Sequence, residues 1–197
     1  MHPKTDDITW KNAADEDLWL FDKLILARTR GYVCGPVGVD VPKPGYYVIR
    51  PITNILGMGR GAFIQWIEQT TDSLPVGYFW CEVFTGRHLS VDYVDRKQSL
   101  CVEGFRDEDA PLYKWDRWEK VNDKVTYPFN QTFPLLNCEF IGGKLIEVHF
   151  RLNPDFREGY KVIHPIWDGE FILWELGLPL VEDREYLRRG FLVEKEQ

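Results

Sequence analysis

Hydrophobic and polar positions change period several times along the chain, and each change marks an element. Asp15 to Arg30 carries Leu18, Phe21 and Ile25 over a broad apolar face, with acids in the first turn and bases in the last. With Gly31 behind it, the stretch predicts a helix whose end charges complement its dipole. Residues 1–14 ahead of it are polar and read as peripheral. Val37 to Val41 predicts a short strand, and Tyr46 to Ile49 a buried strand that stops at Arg50-Pro51. Ala62 to Gln69 predicts one or two helical turns. Two strands are expected around Thr85-Gly86, the second with His88, Ser90 and Asp92 on one face and Leu89, Val91 and Tyr93 on the other. Ser99 to Gly104 returns as a further strand, which makes a meander.

The second half is read in the same way. Asp107 to Asn130 predicts a long connection holding a short amphipathic helix, with Trp115 and Trp118 at helical spacing and packing more than binding. Leu135 to Phe150 predicts a hairpin, because Gly142-Gly143 is a turn dipeptide between two alternating runs. In the simplest register of that hairpin Glu139 and Glu147 fall on opposite faces, whereas a bulge or a longer turn brings them to one side. Glu147 and His149 share a face in either case, followed by Arg151. Phe171 to Leu176 reads as an apolar strand or helical turn, and Glu182 to Leu192 as a charged terminal helix with Arg184, Arg188 and Arg189 on its surface.

Composition narrows the class. A chain of 197 residues fits one domain, or two small lobes divided near 15–75 and 76–197. The net charge of −7 and the lack of a Lys/Arg stripe argue against nucleic acid as a partner. No apolar run is long enough to cross a bilayer. Cys34, Cys81, Cys101 and Cys138 show no metal spacing, and without a signal peptide they read as reduced thiols of a cytoplasmic protein. Aromatic content of 15%, with eight Trp, suggests flat walls in a core or cleft, or a carbohydrate-binding surface.

Candidate chemistry starts after the Tyr46 strand. Gly57, Gly59 and Gly61 alternate in a loop that can turn its N–H groups toward an anion, and Arg50 just before it adds a cation with forked donors. A glycine-rich turn with a surface arginine accounts for the same residues, and the spacing matches neither the P-loop nor the dinucleotide fingerprint. Lys23 falls among apolar neighbours and, on spacing alone, reads as a snorkelling lysine. Glu82 interrupts an aromatic run, as an edge-facing residue or a buried acceptor.

Taken in order, these residues resemble the ATP-grasp family of ATP-dependent carboxylate–amine ligases. Asp22-Lys23-Leu24 through Val41-Pro42 is similar to the family's passage with a phosphate-contacting lysine, and Val48-Ile-Arg-Pro51 to its second-lysine strand, with Arg50 in the lysine's place. Gly57-Met-Gly-Arg-Gly61 matches the loop that folds over phosphates. Glu82-Val-Phe-Thr-Gly-Arg-His88 resembles the hinge whose backbone reads adenine, with His88 on the ribose side. Glu139 and Glu147-Val-His149 resemble the metal-binding acids, with His149 where asparagine is usual.

The resemblance implies an α+β fold, two small lobes with mostly antiparallel sheets around a nucleotide cleft. It implies ATP and Mg²⁺ as cofactors, Lys23, Arg50, the three glycines, Glu82 and His88 around the nucleotide, and Glu139, Glu147 and His149 at the metal. Arg151 would steady an acyl phosphate, and the second substrate would be a small-molecule or peptide carboxylate. A homo-oligomer or a protein partner stays open. The large family enzymes carry an amino-terminal substrate domain that has no counterpart ahead of Lys23. This motivates the alternative, a degenerate binding or interaction protein of the same fold.

Overall fold

The computed structural model describes residues 6–53, 59–169 and 177–196. Its short helices come first: α1 (Asp7–Asn12), a 3-10 helix (Asp15–Phe21) and α2 (Lys23–Thr29). The single helix expected over Asp15 to Arg30 is broken at Asp22, which leaves helical geometry and turns its carboxylate to accept from Ile25 N at 2.8 Å. Asp22 thus ends one helix and caps the next. Lys23 N donates to Ile52 O, so the break also ties α2 to the following sheet.

That sheet has four strands, β1 (Cys34–Pro36), β2 (Gly45–Pro51), β3 (Phe63–Ile67) and β4 (Tyr78–Glu82), in the antiparallel order β1-β4-β2-β3. The short strand lies at Cys34–Pro36 and not at Val37 to Val41, which forms a turn. The helical turns expected over Ala62 to Gln69 are also corrected. Phe63–Ile67 pairs with β2, Tyr46 opposite Trp66, because β-branched and aromatic residues on a half-exposed strand favour a ladder. Tyr47 and Ile49 point into one core with Trp80, while Val48 faces Leu24, Phe79 and Cys81.

The larger sheet has eight strands: β5 (His88–Val94), β6 (Lys97–Phe105), β7 (Arg117–Lys120), β8 (Leu135–Ile141), β9 (Lys144–His149), β10 (Tyr160–Trp167), β11 (Leu180–Glu185) and β12 (Arg188–Lys195). Their order is β11-β12-β10-β7-β6-β5-β8-β9. Trp118 lies in β7, not in a helix, and its ring meets that of Trp115 at 4.6 Å over Gly104, where a side chain would collide with both. The terminal helix expected from Glu182 is a hairpin. Phe191, Leu192 and Val193 are buried, and Arg188 is only 4% exposed, gripped by Asp155 at 2.7 and 3.0 Å and by Glu185 at 3.2 Å. The charges that suggested a solvated helix are partly internal. Phe171 to Leu176 lies outside the described residues.

The β8–β9 hairpin settles the question of faces. Glu139 stands directly opposite Glu147, whereas Phe140 pairs with Leu145, so Ile146 is the extra residue of a bulge. The bulge brings both glutamates to the face that also carries His88, Ser90 and Asp92. Leu89, Val91, Tyr93, Leu136, Cys138 and Val148 line the other face and form the main core.

A buried polar network lies on the first of these faces. Asn137 Nδ2 donates to Ser90 Oγ and to Asp92 Oδ1 at 2.8 Å, and Asn153 N donates to Asp92 Oδ1 at 2.9 Å. Burial raises the Asp92 carboxyl to about 6, against the opposing pull of these donors and of Arg151 and His149.

Two outcomes test this architecture. Deleting Ile146 removes the bulge but leaves Glu147 opposite Glu139 by plain alternation, so the ion pairs of Glu147 should survive and denaturant unfolding should lose only on the order of 1–3 kcal/mol. Ile146→Ala keeps the bulge and should cost about 1–2 kcal/mol; a loss of about 3–5 kcal/mol on deletion would mean that Glu147 had left its cations and that the pairing with Glu139 does not set its face. Asp92 binds more protons folded than unfolded, so its favourable contribution is present below its ordinary value and fades as pH rises through about 6. Asp92→Asn should therefore gain on wild type by on the order of 2 kcal/mol between pH 4 and 7.5. A pH-independent difference would place the titration elsewhere.

Candidate active site

The chain passes from the small sheet to the large one between β4 and β5, and the cleft lies beside this crossing. A cavity of 590 Å³ is walled by Val48, Phe79 and Cys81 from the small sheet, Val83 and Phe84 from the crossing, and Ile141, Leu145 and Ile146 from the β8–β9 hairpin. A connected space of 730 Å³ extends past Glu139, Glu147 and Arg151 toward Trp167 and Arg188. Gly142 N donates to Arg87 O at 3.0 Å, and Gly142 leaves no room for a side chain beneath Thr85 O. The glycine turn is thus also a seat for the crossing segment.

Where the two spaces meet, Glu147 is held by two cations. Lys23 Nζ lies 3.1 Å from its Oε1, and an Arg50 guanidinium nitrogen lies 2.8 Å from its Oε2. Lys23, Glu147 and Arg50 are all largely withdrawn from water. Burial and the nearby Arg50 lower the Lys23 ammonium from its usual value, and Glu147 opposes them. Across the ladder Glu139 reaches His88 Nε2 at 3.2 Å and His149 Nε2 at 3.9 Å. Burial would raise the Glu139 carboxyl, but the His88 hydrogen bond and the charges of His88, His149 and Lys23 hold it well below the carboxylate range.

His149 Nε2 is 3.5 Å from Glu147 Oε1, and its Nδ1 is 2.7 Å from Asp6 Oδ2. A carboxylate only accepts, so Nδ1 carries a proton toward Asp6. Arg151 Nε faces Asp6 Oδ1 at 3.2 Å.

Lys23, Arg50, His88, Glu139, Glu147, His149 and Arg151 therefore converge, and Gly59 lines the far side of the cleft. Gly59 and Gly61 have φ of +68° and +81°, and Gly61 packs against the Tyr78 hydroxyl. Gly57 lies outside the described residues. Glu82 is apart from this set. Its Oε1 accepts from Val33 N at 2.9 Å, on the face of β4 opposite Phe79 and Cys81, and it lines neither space. Among the described residues no three His, Cys, Asp or Glu side chains form a ready metal cage. The free cysteines offer no nucleophile here: burial pushes the Cys81 thiol up to about 12.

Sequence reasoning missed several lining residues. Trp115 and Trp118 stand edge-on to His88 with ring centroids at 4.7 and 5.5 Å. Their spacing in the sequence points to packing on a helix and not to a cleft wall. Asp6 carried no signal at all, being 143 residues from His149.

No family model and no curated protein matches the sequence. Among solved structures the chain is similar to a protein assigned to the ATP-grasp superfamily from Archaeoglobus fulgidus, with a TM-score of 0.54 and 15% identity, over 90% of this chain and 64% of that one. It also aligns to two structures of the ATP-grasp ligase PsnB, at TM-scores of 0.42 and 0.41 and identities of 14% and 13%. Those alignments cover 74% and 77% of this chain and 55% and 54% of the PsnB chains. The chain thus spans less than two thirds of the length of each of these structures. With mostly antiparallel sheets, few helices and a cleft beside the crossing between them, the chain has an ATP-grasp-like fold.

Proposed function

We propose that the cleft binds ATP together with Mg²⁺, and that the protein is an ATP-dependent ligase activating a carboxylate as an acyl phosphate. The observation that carries this proposal is the arrangement around Glu147. Two cations from the small sheet and its leading helix meet one carboxylate of the large sheet, directly opposite a second carboxylate. Triphosphate oxygens compete for Lys23 and Arg50, and each contact made with phosphate frees one oxygen of Glu147. Glu139 and Glu147 are hard oxygen donors, and Mg²⁺ is commonly held by one or two carboxylates plus phosphate oxygens, so a preformed cage is not required. The donor set therefore fits the ion. His149 presents Nε2 toward the same point, and the bound ion would draw charge from the phosphate oxygens.

The remaining roles follow from position. The cavity between Val48, Cys81 and Ile146 is large and apolar enough for a purine, with the crossing segment at its edge. His88, fixed by Glu139, stands toward the ribose side. Gly59 and Gly61 let the loop approach phosphates closely, and the fork of Arg50 suits phosphoryl oxygens. Arg151 lies farther along the cleft, where a carboxylate would receive the phosphoryl group. Its positive charge offsets the negative charge that develops there.

A second proposal keeps the fold without catalysis. Both oxygens of Glu147 are already satisfied by cations, which also suits a cleft that has given up metal-assisted chemistry.

A Glu147→Gln variant separates the two. Its apo form should melt lower, because a buried lysine and arginine lose their counter-charge, at a cost of about 3–5 kcal/mol. Metal-free ATP should bind it more tightly than wild type, while Mg²⁺ no longer improves binding; retained Mg²⁺ enhancement would remove Glu147 from the metal site. Arg50→Met should weaken ATP by about 2 kcal/mol and leave adenosine unchanged, read by calorimetric titration. Equal losses for both ligands would assign Arg50 to the fold alone. If millimolar Mg²⁺–ATP does not move the wild-type melting curve, the ligase proposal fails.

A further inference from the structure

Asp6 stands just ahead of α1, yet its carboxylate lies inside the cleft and is 9% exposed. One oxygen takes the His149 Nδ1 proton at 2.7 Å, and the other faces Arg151 Nε at 3.2 Å. His149 and Arg151 are themselves buried, at 3% and 8% exposure. The Arg151 contact falls outside hydrogen-bonding geometry, so the ion pair is electrostatic and imperfectly directed.

The segment that brings Asp6 there is lightly built. Helix α1 has six residues, and its Ile8 and Trp10 are 56% and 44% exposed. Trp10 stacks on Phe21 at 5.5 Å, and Thr9 Oγ1 donates to Asp6 O at 2.9 Å within the segment. A helix this short is not stable alone in water. Among the described residues, the stacked ring on one side and the buried carboxylate on the other help to hold it.

A carboxylate clasped by an imidazole N–H and a guanidinium, at the start of a short and largely exposed segment, has the form of a ligand more than of a core residue. We propose that His149 and Arg151 form an anion subsite for a carboxylate or phosphoryl group, and that Asp6 occupies it as a tethered stand-in which a ligand must displace. The proposal rests on the nucleotide-cleft reading only for which ligand brings the anion. As a tethered competitor, Asp6 acts at an effective concentration in the millimolar range, so dilute anions do not dislodge it and concentrated ones do. Withdrawal of Asp6 frees the Arg151 charge for the incoming group and releases α1 from the cleft.

The test uses inorganic phosphate and acetate as probes, without nucleotide or metal, on the full chain. They are titrated calorimetrically into wild type, Asp6→Asn, Asp6→Ala and the double variant Asp6→Ala/Arg151→Met, each checked by its melting curve. Asp6→Ala should bind at least one probe roughly tenfold more tightly than wild type, with Asp6→Asn between them. The double variant should lose the gain. Acetate as the better probe marks a carboxylate subsite, and phosphate a phosphoryl subsite. Equal affinities in wild type and folded Asp6→Ala would overturn the proposal, as would a gain that persists in the double variant. A second readout covers variants that do not fold: in wild type, high phosphate or acetate should speed amide exchange of residues 7–12, and unchanged exchange with both would equally overturn it. These measurements contain no nucleotide, so their failure is distinct from a failure to bind Mg²⁺–ATP.

Discussion

One buried carboxylate holds the two sheets together electrostatically. Glu147 projects from β9, Lys23 from the start of α2 and Arg50 from the end of β2, and they meet with little access to water. Removing one partner of such a cluster leaves an uncompensated charge in a poorly polarisable setting, which costs far more than the pair contributes. Each element is therefore placed by a requirement of the others. The Asp22 break points Lys23 inward, the Ile146 bulge points Glu147 at it, and β2 delivers Arg50 from the opposite side. The cluster carries one net positive charge, and Glu139 with its two histidines stands across the ladder. The cleft is thus charged in a pattern that neighbouring groups already balance, and a polyanion changes that balance by exchange of partners, not by simple addition.

Much of this was legible in the sequence because it is local. The alternation from His88 to Tyr93 divides β5 into a cleft face and a core face, and Gly142-Gly143 fixes the turn of the hairpin. Glu147, His149 and Arg151 follow from strand period alone. The relation of Glu139 to Glu147 did not, since it depends on one extra residue that alternation cannot place. The bulge falls at Ile146, whose side chain joins the cavity wall and so has somewhere apolar to go.

Where the sequence misled, tertiary pairing overrode local charge. Glu182 to Leu192 has the acids and arginines of an exposed helix, but Arg188 finds Asp155 and Glu185, and Phe191 finds the core beside Val102 and Ile163. Phe63–Ile67 is too short to reveal its period, and only its ladder with β2 decides it. Asp6 is the extreme case. Nothing in a polar leading segment signals that one carboxylate crosses to the far end of β9, so composition there describes the exposed residues and not the one that matters to the cleft.

The seat of the crossing segment has a mechanical consequence. Gly86 lies against Gly142, and Gly142 N is bonded to Arg87 O, so the strip between β4 and β5 is pinned to the turn of the β8–β9 hairpin. A pinned strip behaves as a fulcrum. Rotation of the small sheet about it displaces atoms near Val83 very little, and atoms at the opposite rim in proportion to their distance. At that rim Arg60 of the glycine loop rests on the Tyr186 ring at 4.5 Å, a contact between the loop and the terminal hairpin. The seat of the crossing lines one of the two connected spaces, and Arg60 lines the other. The Arg60 contact with Tyr186 is a cation over a ring, worth on the order of 0.5–2 kcal/mol.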